Sequence, residues 1–153
     1  MTDDQRNLLD RNREKLVRAF RLVAASVERT GHFDPEEDYT PEELEPFDAL
    51  SDRFMRAVES SIRFFRSYER FTQAVSSETL RDTLHRMEKA DLVSDAEIWM
   101  EMRDVRNRIV HDYSPEQRQR LFNDIRGPFF TELNHTSSRA QSMRFANPTD
   151  TSA

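Results

Sequence analysis

Eleven consecutive residues late in the chain hold the side chains best suited to chemistry: Arg103-Asp104-Val105-Arg106-Asn107-Arg108-Ile109-Val110-His111-Asp112-Tyr113. Projected on a helix at about 100° per residue, the stretch has two faces. Ile98, Met102, Val105 and Ile109 share one line and should point into a core. Asp104, Asn107 and His111 fall almost opposite, three and four residues apart, with Arg103, Arg106, Val110 and Tyr113 on the flank between. Histidine can move a proton near neutral pH, arginine presents a fork that fits phosphate, and asparagine orients groups by hydrogen bonding. The row therefore suits acid–base work at a phosphate. Spacing alone still favours a plainer reading, because a histidine near a helix C-terminus complements the dipole and Arg–Asp neighbours commonly pair on solvated surfaces.

No other arrangement competes with this one. The sequence has no glycine-rich phosphate loop, no nucleophile elbow and no His-x-x-x-His pair. His32, His85 and His135 sit in different segments and read as ordinary surface or partly buried histidines. The cysteine count of 0 excludes disulfides, thiol catalysis and cysteine-based metal sites. The formal net charge of −6 counts against a nucleic-acid binder that acts through overall charge, but leaves room for a local basic cleft. Lys15 and Lys89 are the only lysines, so nearly every cation is a guanidinium.

The elements that must position this row are helical. With 153 residues, Gly only 2 and Pro 6, the chain predicts one domain of long helices. Leu8, Leu9, Leu16, Phe20, Val23 and Val27 recur at helical spacing between Asp3 and Thr30. Gly31 is the expected left-handed stop. Thr40-Pro41-Glu42-Glu43 is a capping box with proline at the first helical position, and Pro46 is expected to delay the regular helix by a turn. That helix should run to about Thr72 through Leu50, Phe54, Val58, Ile62, Phe65 and Phe71, with Phe64 and Tyr68 widening its apolar face.

Ser76 and Ser77 are expected to cap a shorter helix that ends near Ala90. Ser94-Asp95-Ala96-Glu97 opens the helix of the polar row, running to about His111 or Tyr113. Ser114-Pro115-Glu116-Gln117 opens the last helix, with a kink at Gly127-Pro128. The expected architecture is an all-α, up-and-down bundle over residues 1–133 with one short helix, and a polar, flexible tail over residues 134–153. No apolar run reaches the roughly 20 residues that span a bilayer, and the first residues are too polar for a secretory signal. The expectation is a soluble cytoplasmic protein.

The segment from Arg106 to Tyr113 resembles the signature of HEPN-domain proteins, an arginine followed four to six residues later by a histidine. Asn107 directly after Arg106, and Tyr113 two residues past His111, bring it nearest to HepT toxins. The resemblance extends over most of the chain, since HEPN domains are all-α bundles with this motif late on a long helix. It implies a metal-independent endoribonuclease that dimerises to bring two motifs into one cleft. His111 would then assist proton transfer at the ribose 2′-hydroxyl or the leaving oxygen, Arg106 would hold the scissile phosphate, and Asn107 would orient groups. Arg103, Asp104 and Arg108 would line the cleft or bind RNA, the arginines supplying its basic patch, and the sequence does not single out which arginine does the work.

The same resemblance implies a partner, a small MNT nucleotidyltransferase antitoxin that transfers AMP to the motif tyrosine, here Tyr113. The chain itself would need no cofactor; ATP and Mg²⁺ would belong to that partner. A phosphodiester at Tyr113 would block the cleft by bulk and charge. Two rivals stand beside the toxin: a non-catalytic HEPN subunit that binds substrate for a nucleotidyltransferase or regulates it, and a structural bundle whose polar row is only solvated.

Overall fold

The computed structural model describes residues 1–109 and 114–145, and within α4 it leaves the Arg106 side chain undescribed. Its elements are α1 (Asp3–Arg29), α2 (Pro41–Thr72), α3 (Leu80–Lys89), α4 (Ala96–Ile109), α5 (Pro115–Asp124) and α6 (Phe130–Ser142). A π-helical turn, Ile125–Phe129, joins the last two. Every described element is helical, so the chain is an all-α bundle.

Local signals explain where several helices begin. Thr40 accepts from the Glu43 N–H while the Glu43 carboxylate accepts from the Thr40 N–H, so the first orphan donors of α2 are satisfied reciprocally. Ser114 and Gln117 repeat the exchange at α5. The expected delay at Pro46 does not occur, and α2 is helical from Pro41 onward. Near the start of a well-capped helix, proline removes one backbone bond, and both Pro46 and the Glu42 four residues before it are exposed to water.

Helix ends depart more from expectation. Gly31 does not act as a left-handed stop, since no glycine has a positive φ. Thr30 closes α1 in extended conformation, with its N–H on the Ser26 carbonyl. The left-handed positions are Ala74 (φ 55°) after α2 and Asp91 (φ 60°) after α3. At α3 the Leu92 N–H reaches the Met87 carbonyl and the Asp91 N–H the Glu88 carbonyl, a Schellman closure with Leu92 and Met87 both buried. Gly127 leaves helical geometry at φ −107°, ψ −108°, ahead of Pro128, so the kink falls where the sequence places it.

Side-chain links give the packing directions. Asn12, early in α1, bonds Ser67, late in α2; Arg53, early in α2, bonds the Leu22 carbonyl and Ser26, late in α1. These two helices are therefore antiparallel. Arg13 donates to the Met143 carbonyl, and Arg126 to the carbonyls of Val27 and Thr30, so α1 also runs against α6. Between the helices lie Leu9, Leu16, Val23, Leu50, Leu84 and Met87, with Phe54 stacked on Phe129 and Phe65 edge-on to Trp99. Leu8, expected in the apolar row of α1, is exposed instead.

The polar segment from Asn134, expected to fray, continues as α6 to Ser142, with Thr136, Ser137 and Ala140 buried. The Thr136 hydroxyl donates to the Leu92 carbonyl at 2.7 Å, which satisfies a polar side chain inside the bundle.

Candidate functional site

α4 carries the polar row, and its position depends on its first turn. Ser94, expected to cap it, gives both its N–H and its hydroxyl to the Glu132 carboxylate of α6 instead. Capping passes to Asp95, which accepts from the Glu97 N–H, and to Glu88 of α3, which accepts from the Ala96 N–H. Trp99 then buries its ring against Phe65 and donates its Nε1–H to Glu132 at 2.8 Å. One buried carboxylate thus ties the α3–α4 connection and the start of α4 to α6.

A parallel joint holds α2 to the connection after it. Ser76 and Ser77 do not cap α3; Thr79 does, accepting from the Asp82 N–H. Ser77 donates its N–H and hydroxyl to the buried Glu69, and the Arg86 Nε stands 3.7 Å from the same carboxylate.

With α4 so fixed, the expected inward line holds. Met102 and Val105 are buried and Ile98 and Ile109 half-buried, while Arg103, Asp104, Asn107 and Arg108 are exposed. Arg103, Asp104 and Asn107 come together in one groove of about 860 Å³, whose other wall is α2. Arg108 is not part of it. Arg106 stands on the same helix, and His111 and Tyr113 lie outside the described residues, as does the expected end of α4 beyond Ile109.

The α2 wall, Glu59, Arg63 and Arg66, was not anticipated from the sequence. A signal for it exists: Asp52, Arg56, Glu59, Arg63, Arg66 and Arg70 follow one another at spacings of four and three, an exposed charged line beside the apolar stripe. The polar row, which the helical projection sets opposite the core line, therefore does not face solvent alone. Part of it faces α2 of its own chain.

Met55, Val58, Ile62 and Met102 supply the groove with apolar side chains. Among the described residues, the guanidinium groups of Arg63, Arg66 and Arg103 take part in no ion pair or hydrogen bond. Three uncommitted forks beside an apolar surface can hold an anionic group and a ring together. Asp104 and Asn107 add an acceptor and an amide for hydrogen bonds.

No helix of the described residues is long and apolar enough to cross a membrane. Residues 12–142 match the model of the family described as nucleotidyltransferase substrate binding protein like. Among curated proteins, no relative matches the chain.

Proposed function

Because the chain belongs to the nucleotidyltransferase substrate-binding-protein-like family, a HEPN-like family, we propose that it is the substrate-binding subunit of a separate nucleotidyltransferase. The observation that carries this reading is the α2–α4 groove, where Arg63, Arg66 and Arg103 are uncommitted above Met55, Val58, Ile62 and Met102. Those guanidiniums would hold a phosphate or other anionic group of the acceptor. The apolar side chains would take its ring, and Asn107 and Asp104 would fix its orientation. The transfer step itself belongs to the partner, which would bring ATP and Mg²⁺; this chain contributes binding and alignment.

Reconstitution with a cognate nucleotidyltransferase tests the proposal. Arg63→Ala with Arg103→Ala should raise the KM for the acceptor by at least about 100-fold, since two charged partners are lost and each hydrogen bond to a charged group contributes about 1.5–3 kcal/mol. The complex should stay intact in sedimentation. An unchanged KM sinks the reading.

A second reading, the HepT-like toxin, is favoured by the order Arg106, Asn107, His111, Tyr113 in the sequence together with the placement of Arg103, Asp104 and Asn107 in one groove. In it, a homodimer joins two motifs around RNA, His111 moves the proton, Arg106 holds the phosphate, and an MNT antitoxin silences the site with AMP on Tyr113. Metal-independent cleavage and growth arrest, both lost in His111→Ala, would select this reading over a binding subunit. Labelling by partner and ATP that disappears in Tyr113→Phe would identify the modified residue.

A further inference from the structure

The net charge of −6 is unevenly distributed. From Asp34 to Asp52 the chain has nine acids and no lysine or arginine, which leaves 23 cations against 20 acids elsewhere. The acids occupy the α1–α2 connection and the opening turns of α2. The middle of α1 has the opposite sign: Arg11, Arg13, Lys15, Arg18 and Arg21, with Glu14 the single acid between Arg11 and Arg21. From Arg18 to Thr30, where the connection begins, the helix rises about 18 Å. That exceeds the Debye length of about 8 Å at physiological salt, so the acids of the connection do not cancel these cations. Asp52 is engaged by Arg56 at 3.1 Å.

Part of this basic strip is a recess of about 360 Å³ between α1 and the end of α6, where Arg13, Arg18, Arg21 and Arg144 surround Glu14. Two of the four are held in place. Arg13 bonds the Met143 carbonyl and Asp10, and lies 5.1 Å over the Phe145 ring. Arg144 donates to the carbonyls of Gln141 and Met143 at 2.9 and 2.8 Å. Arg21 has no ion pair or hydrogen-bond partner for its side chain among the described residues, and Arg18 reaches Glu14 only at 3.8 Å. Four guanidiniums against Glu14 and the Asp10 that engages Arg13 leave the depression net positive, and two already fixed lose little entropy when an anion enters.

We propose that the α1–α6 strip is a second binding surface, distinct from the α2–α4 groove, that holds the phosphate backbone of a polynucleotide without reading its sequence. The α1 cations of the recess, Arg13, Arg18 and Arg21, extend over about 12 Å of helix, more than one phosphate can touch and suited to a polyanion. Among the described residues that line the recess none is aromatic, and the nearby Phe145 ring is covered by Arg13, so the backbone is what the recess recognises.

The test is fluorescence anisotropy of a labelled single-stranded oligoribonucleotide of mixed sequence, titrated with the full chain across a salt series. Wild type should bind, with log affinity falling linearly against log salt and little change between base compositions. Arg18→Gln with Arg21→Gln, both exposed, should weaken binding and make the slope shallower by about 1.4, at about 0.7 per phosphate contact, with unchanged melting. The groove variant Arg63→Gln with Arg103→Gln should keep the wild-type slope, which separates this surface from the groove. The proposal is overturned by an unchanged slope in the strip variant, by binding lost only in the groove variant, or by no binding at low salt. It is equally overturned if inorganic phosphate binds at these arginines and the oligonucleotide does not.

Discussion

Glu132→Ala removes the carboxylate on which α4 is anchored, and the structure indicates how much this costs. Glu132 is 3% exposed and accepts from the Ser94 N–H at 2.9 Å, from the Ser94 hydroxyl and from the Trp99 Nε1–H at 2.8 Å. Ser94 is exposed, so its two donors can turn to water once the carboxylate is gone. Trp99 is 0% exposed and its N–H has nowhere to go. One buried unsatisfied donor costs about 1–3 kcal/mol, and the methylenes lost from a packed position add to it. Release of a buried charge from its desolvation penalty offsets part of this. The expected net loss is about 3 kcal/mol, or roughly 6–12 °C in Tm for a domain of this size.

Urea unfolding followed by circular dichroism measures the loss, with Trp99, the single tryptophan, reporting locally by fluorescence. Trp99→Phe keeps most of the ring and removes the donor. Combined with Glu132→Ala, it should cost at least about 1 kcal/mol less than the two single losses added together, because the orphan donor is then absent. Trp99 precedes Arg103 by one helical turn, so Glu132→Ala should also weaken the acceptor binding proposed for the groove. A loss below about 1 kcal/mol, or strict additivity in the double variant, would refute the argument that this carboxylate anchors α4.

Further substitutions test other joints. Thr40→Ala breaks the capping box of α2 and should cost about 1 kcal/mol in urea unfolding. Phe54→Ala opens a cavity beside Phe129, where both rings are buried, and should cost about 3–5 kcal/mol. Ala74→Gly relieves a left-handed alanine at φ 55° and should stabilise by about 0.5–1 kcal/mol, the gain being reduced by the freedom glycine adds to the unfolded chain; destabilisation would contradict it.

Features that depend on residues three or four apart are legible in the chain alone. The boxes at Thr40 and Ser114, the inward line of Met102 and Val105, and the break at Gly127-Pro128 are local events, written in adjacent side chains and backbone preferences. Ser77 and Ser94 carry the same local signal, yet tertiary structure diverted both to buried carboxylates 8 and 38 residues away. A serine cannot indicate which of two acceptors will reach it first; only the packing of helices does. For the same reason the polar residues of α6 resemble a tail until the Leu92 carbonyl is placed beside Thr136. The groove divides along this line. Arg103, Asp104 and Asn107 share a face because helical periodicity requires it, whereas Glu59, Arg63 and Arg66 become their opposite wall only because α2 docks against α4.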